Sequence, residues 1–130
     1  MPNGGIFISP WTDLEMTGDT FALGAVNDPI IDPQSLANMA RSYAGDDLKN
    51  PLVSPLHGNV SGFPPSLIFV GTREYLLSDA RRLRDALVTA GTCVDYVEED
   101  GLIHCWSVIA PTAPESVECL NRIASFLDRN

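Results

Sequence analysis

The sequence predicts an α/β fold: a small parallel sheet of about three strands, flanked by helices and incomplete as a sheet. Three observations carry this expectation. Short apolar runs bounded by Gly and Pro occur at residues 5–9, 66–71 and 93–97. Stretches of helical periodicity lie between and after them. The runs are rich in β-branched residues, as suits parallel strands covered on both faces.

The run Gly5-Ile6-Phe7-Ile8-Ser9 is stopped by Pro10. Residues 33–43 form the first expected helix, with Asp32 as N-cap and Gly45 as its stop. The Pro64-Pro65 pair starts the second run, Ser66-Leu67-Ile68-Phe69-Val70-Gly71. A helix over 78–90 turns Leu83, Ala86, Leu87 and Ala90 inward and ends at Gly91. The third run, Cys93-Val94-Asp95-Tyr96-Val97, alternates apolar with polar. A last helix over 114–127 gathers Val117, Leu120, Ile123, Ala124 and Leu127 on one face, expected to meet the sheet. Strand–helix–strand–helix order implies three layers.

Three parallel strands make a poor domain alone, because a sheet covered on both faces normally has more strands and an open edge invites pairing. The first run begins almost at residue 1. Residues 1–130 are therefore expected to be one partial domain of a larger fold. Self-association, or binding to a separately supplied N-terminal half, is expected to cover the edge.

Composition narrows the function classes. Eight basic against seventeen acidic residues give a net charge of −9, unsuited to neutralising a phosphate backbone. No nucleic-acid partner is expected. The one basic cluster, Arg81, Arg82 and Arg84, reads as a solvated helix face. No apolar run approaches the ~18 residues of a membrane span, and the first five residues carry no positive charge of a leader type. The three cysteines, Cys93, Cys105 and Cys119, stand in no metal-ligand spacing. They are expected to be free and mostly buried thiols of a reducing cytoplasm. No metal or cofactor is expected.

Two residues point to chemistry. Glu74 follows the second run and His104 follows the third. The C-terminal ends of parallel strands share one edge, where open α/β sheets bind ligands. An acid and an imidazole on that edge can hydrogen-bond. The carboxylate then fixes the tautomer through Nδ1 and leaves Nε2 as a general base. Taken singly, each has a plainer reading, His104 as a hydrogen-bonded loop residue and Glu74 as a surface carboxylate. Asp79 competes with Glu74, but Ser78-Asp79 at a helix start is accounted for by capping and the helix dipole. His57, in a Gly- and Pro-rich loop, reads as exposed and structural. Trp11 and Trp106 read equally well as lining of an acyl pocket or as core aromatics.

The local wording adds to this. The stretch from Gly62-Phe63-Pro64-Pro65 through Gly71-Thr72-Arg73-Glu74-Tyr75-Leu76-Leu77-Ser78-Asp79 resembles the acid-bearing segment of hormone-sensitive-lipase-like esterases, an α/β-hydrolase family. Asp100-Gly101-Leu102-Ile103-His104-Cys105-Trp106 resembles that family's histidine loop, and Ser9-Pro10-Trp11-Thr12-Asp13-Leu14 resembles the loop after the strand that follows its nucleophile elbow. The resemblance covers nearly the whole chain. It implies the C-terminal portion of an α/β-hydrolase fold, with Glu74 and His104 as triad acid and histidine acting on short-chain acyl esters or lactones.

The departures matter equally. No Gly-x-Ser-x-Gly elbow occurs within the 130 residues, and Gly58-Asn59-Val60-Ser61-Gly62 has the wrong offset. The His-Gly-Gly-Gly oxyanion loop is absent too. The expected alternative is therefore a catalytically inactive fragment, acting only as a folded remnant or association module.

Overall fold

The computed structural model describes residues 2–130. Its sheet has three parallel strands in the order β1 (Gly5–Ile8), β2 (Ser66–Gly71) and β3 (Val94–Glu99). Ile6 lies opposite Leu67, and Ile68 opposite Tyr96. All six residues of β2 are buried, as its continuous apolar run requires of a central strand. Because side chains alternate across a strand, β2 feeds two cores. Leu67 and Phe69 join Val97, Trp106, Cys119 and Phe126 on one face; Ile68 and Val70 join Leu77, Ala80, Leu83 and Leu87 on the other. Each fully buried side chain of this size stabilises by about 1.5–3 kcal/mol.

Helix α2 (Leu77–Thr89) covers the second face. A short α3 (Trp106–Ile109) and the long α4 (Pro114–Leu127) cover the first. Helix α1 (Pro33–Ala44) begins as expected, with the Asp32 carboxylate accepting the Ser35 N–H at 2.8 Å. It contributes to neither core cluster, and only Leu36 and Ala40 on it are buried. The expected layer of helix between the first two strands is thus not built by α1.

Four expectations need correction. Helix α4 turns Ser116, Cys119 and Phe126 inward with Ile123 packed beside them, as expected of Ile123 alone, while Val117, Leu120, Ala124 and Leu127 stay exposed. Two stripes lie side by side on this helix, and the one with small residues and an aromatic permits closer packing. Gly4 makes room there, since a Cβ at Gly4 would lie 2.8 Å from the Phe126 ring. Cys93 is exposed and Cys105 half-buried, so only Cys119 is a core thiol; all three are free.

The other two corrections concern α2. Asp79 does not cap its helix, which starts at Leu77 with no side-chain cap. It is fully buried and reaches across to the loop after β1, accepting the N–H groups of Thr12 at 2.7 Å and Asp13 at 2.8 Å. Burial pushes its pKa up, against the pull of those donors and of Arg82. The arginines are not a free solvated face. Arg82 bridges Asp79 at 2.8 Å and the equally buried Asp13 at 3.0 Å. Arg81 pairs with Glu98 at 2.6 Å, and Arg84 sits over the Tyr96 ring.

Arg82 is thus the counter-ion of two buried carboxylates. Removing one partner of a buried pair leaves an uncompensated charge. Arg82→Ala is expected to cost about 2–4 kcal/mol in urea unfolding, below the full penalty because Arg82 is 31% exposed. Arg122→Ala, which breaks only the exposed pair with Glu118, changes stability by less than about 0.5 kcal/mol. Equal effects of the two substitutions would contradict this assignment.

Candidate active site

Three loops leave the C-terminal edge of the sheet side by side, and the site is built where they meet. β1 ends at Ile8, and Ser9 turns out of it with φ 48° in the left-handed region, its N–H still donating to Phe69 O at 2.8 Å. β2 ends at Gly71, three residues before Glu74. β3 ends at Glu99, five residues before His104.

Glu74 is fully buried. A bare carboxylate there costs several kcal/mol of lost hydration, so its oxygens need partners. Oε1 accepts the Ser9 hydroxyl at 2.8 Å and the Gly71 N–H at 2.7 Å. Oε2 lies 3.0 Å from His104 Nδ1. The two residues singled out in the sequence are therefore in direct contact. With Glu74 ionised, Nδ1 is the donor, and Nε2 points away from the carboxylate.

The acid and histidine loops are laced together. Thr72 N–H donates to Glu99 O at 3.0 Å, Arg73 N–H to Leu102 O at 3.1 Å and Gly101 N–H to Thr72 Oγ1 at 2.8 Å. Gly71 is required at this crossing: a Cβ there would lie 2.2 Å from the Leu102 carbonyl oxygen. Ser9 completes the frame, because its Oγ also accepts the Cys105 N–H at 3.1 Å. One hydroxyl thus ties the acid to the backbone just past the histidine.

The histidine has a second neighbour. Cys105 Sγ lies 3.3 Å from Nε2, and the pKa of His104 is raised to about 10, first by the contact with Cys105 and then by Glu74, against the opposing effect of burial. Ser9, Gly71 and Cys105 have no functional role in the sequence reading. A hydroxyl at a strand's C-terminal end is the signal for Ser9. No local signal marks Gly71, whose constraint is the later approach of Leu102.

The other candidates separate. Trp106 is core, 4% exposed and edge-on to Phe69. Trp11 lines a cavity of about 350 Å³ with Ile30, Leu36, Met39, Leu76 and His104. A larger groove of about 540 Å³ between β3 and α4 includes neither Glu74 nor His104. His57 is exposed, with Nε2 3.4 Å from Asp13 Oδ1. Asp13, Glu15 and His57 offer ligand atoms within 4.8 Å of one another. Asp13 is already engaged by Arg82 and Thr17, so this group is organised as an ion-pair network.

A family model described as the alpha/beta hydrolase fold matches residues 1–108. The chain is 38% identical to an acetyl-hydrolase of Streptomyces hygroscopicus over 128 residues, which are 98% of this chain and 43% of that protein. It is 31% identical to an esterase of Acinetobacter venetianus, over 97% of this chain and 42% of the relative. Among solved structures, an esterase from the bacterial hormone-sensitive lipase family superposes with a TM-score of 0.93 at 37% identity, covering 99% of this chain and 44% of that one. The chain thus spans less than half the length of these relatives. Among the described residues no helix is long and apolar enough to cross a membrane.

Two outcomes follow from the geometry. Because the His104 pKa is raised in the folded state, its stabilising contribution is fully present below ~6.5, the ordinary value, and fades as pH climbs through about 10. The stability gap between the native chain and His104→Ala should therefore narrow between those limits in denaturant titrations; a gap that widens with pH would contradict it. Gly71→Ala is expected to cost about 1–3 kcal/mol by overpacking, read as a lowered urea midpoint, and an unchanged midpoint would remove the close approach from the account.

Proposed function

Since the chain belongs to the alpha/beta hydrolase fold family, we propose that it supplies the acid and base of a serine-type ester hydrolase. Glu74 is the triad acid and His104 the base, within a single partial α/β-hydrolase domain that is the C-terminal portion of the whole enzyme. The observation that carries this reading is the 3.0 Å contact between His104 Nδ1 and the fully buried Glu74 carboxylate. Relatives named acetyl-hydrolase and esterase support it.

In the proposed reaction a serine hydroxyl takes the place of Cys105 Sγ at His104 Nε2, which removes the largest cause of the raised pKa, and attacks the ester carbonyl while Nε2 takes its proton. Glu74 stabilises the imidazolium so formed. The proton then passes to the departing alcohol, leaving an acyl-enzyme that water hydrolyses by the same relay. No serine within the 130 residues stands in a Gly-x-Ser-x-Gly elbow, so the nucleophile and oxyanion donors are supplied from outside them. The apolar cavity beside His104 suits the hydrocarbon part of a small acyl ester or lactone. Three free thiols support a reducing, cytoplasmic setting.

The missing elbow also favours the second reading, in which these residues alone are an inactive remnant or association module. Exposed Val117, Leu120 and Leu127 on α4 support an association surface.

The two readings part in an assay with p-nitrophenyl butyrate. The 130-residue chain alone should hydrolyse it no faster than free imidazole at equal concentration. Joined to an elbow-bearing N-terminal half, it should turn over, and His104→Ala should lower kcat/KM by about 10²–10⁴. Turnover by the chain alone that His104→Ala abolishes would overturn the external nucleophile. Turnover of the joined protein that survives His104→Ala would overturn the role of the histidine.

A further inference from the structure

The nitrogen of His104 that faces away from Glu74 is not free: Cys105 Sγ lies 3.3 Å from Nε2. Three nucleophilic or titratable groups therefore stand in series, Cys105 Sγ, the His104 imidazole and the Glu74 carboxylate, with contacts of 3.3 and 3.0 Å. The backbone holds the thiol there. Cys105 has φ 51° and ψ 37°, a left-handed conformation uncommon outside glycine, and its N–H is anchored on the buried Ser9 hydroxyl at 3.1 Å. The side chain is half-buried and in no disulfide.

We propose that Cys105 is an electrophile-reactive thiol, served by His104 and Glu74, that forms covalent adducts with soft carbon electrophiles. The thiol proton passes to Nε2, and Glu74 stabilises the imidazolium through Nδ1. Sγ then attacks the electrophilic carbon: a C–S bond forms, the bond to the leaving group breaks, and the leaving group departs with the electron pair. With iodoacetamide as the electrophile, the products are the thioether, iodide and a proton that is released to solvent. A thiol held by an imidazole is the arrangement that makes cysteines nucleophilic. The adduct also covers Nε2, so the same modification withdraws His104 from any other partner. The inference needs the Glu74–His104 contact but not ester hydrolysis.

The chain carries its own controls. Cys93 is exposed, with no side-chain hydrogen bond to its sulfur among the described residues, and Cys119 is a core thiol. The full chain is treated with limiting iodoacetamide at neutral pH, and the rate at each cysteine is read by peptide mass mapping. Cys105 is expected to react about tenfold faster than Cys93, while Cys119 stays protected. His104→Ala should bring the Cys105 rate down to that of Cys93 or below, and Glu74→Gln should lower it part of the way. Protection of Cys119 in each variant reports that the fold is kept. A native-chain Cys105 no faster than Cys93 overturns the proposal whatever the variants do. So does a fast Cys105 that His104→Ala leaves unchanged in a protein that still protects Cys119.

Discussion

One buried carboxylate organises the C-terminal edge of this sheet. Glu74 has no exposed surface, and an ion so placed is tolerated only when its oxygens are fully engaged. Its partners come from three loops: Ser9 from the end of β1, Gly71 from the end of β2, and His104 beyond β3. Satisfying the charge and assembling the site are therefore the same act. A shift of any one loop strands a buried charge, which is why the positions of Ser9, Gly71 and the Leu102 carbonyl are so constrained.

A second buried-charge network supports the first from behind. Asp79 and Asp13, clamped by Arg82, hold residues 12–17 of the loop that begins at Ser9. Asp79 stands five residues after Glu74, so one short stretch positions both networks. The sequence-based choice between these two acids separates by what each faces. Asp79 faces backbone amides and a guanidinium, and Glu74 faces an imidazole.

Much of the architecture was legible in the residues. The strand runs, the strand ends carrying Glu74 and His104, and the Asp32 cap rest on local patterns that burial and parallel topology translate directly. What stayed hidden depends on distant contacts. The inward stripe of α4 was chosen by the fit of Phe126 over Gly4, which apolarity alone does not rank above Leu120 and Leu127. Arg82 looked like a surface charge because its partner Asp13 lies 69 residues away. Ser9 and Cys105 are 96 residues apart and joined by one hydrogen bond, a closeness no local pattern contains.

The buried Glu74 carboxylate holds His104 through Nδ1–H, and nuclear magnetic resonance of the imidazole reads that proton. With ring nitrogens labelled, the proton on Nδ1 should appear as a far-downfield resonance, protected from exchange, that moves upfield when Glu74 becomes Gln. A His104 whose only proton sits on Nε2, or a downfield resonance indifferent to Glu74→Gln, would contradict the account.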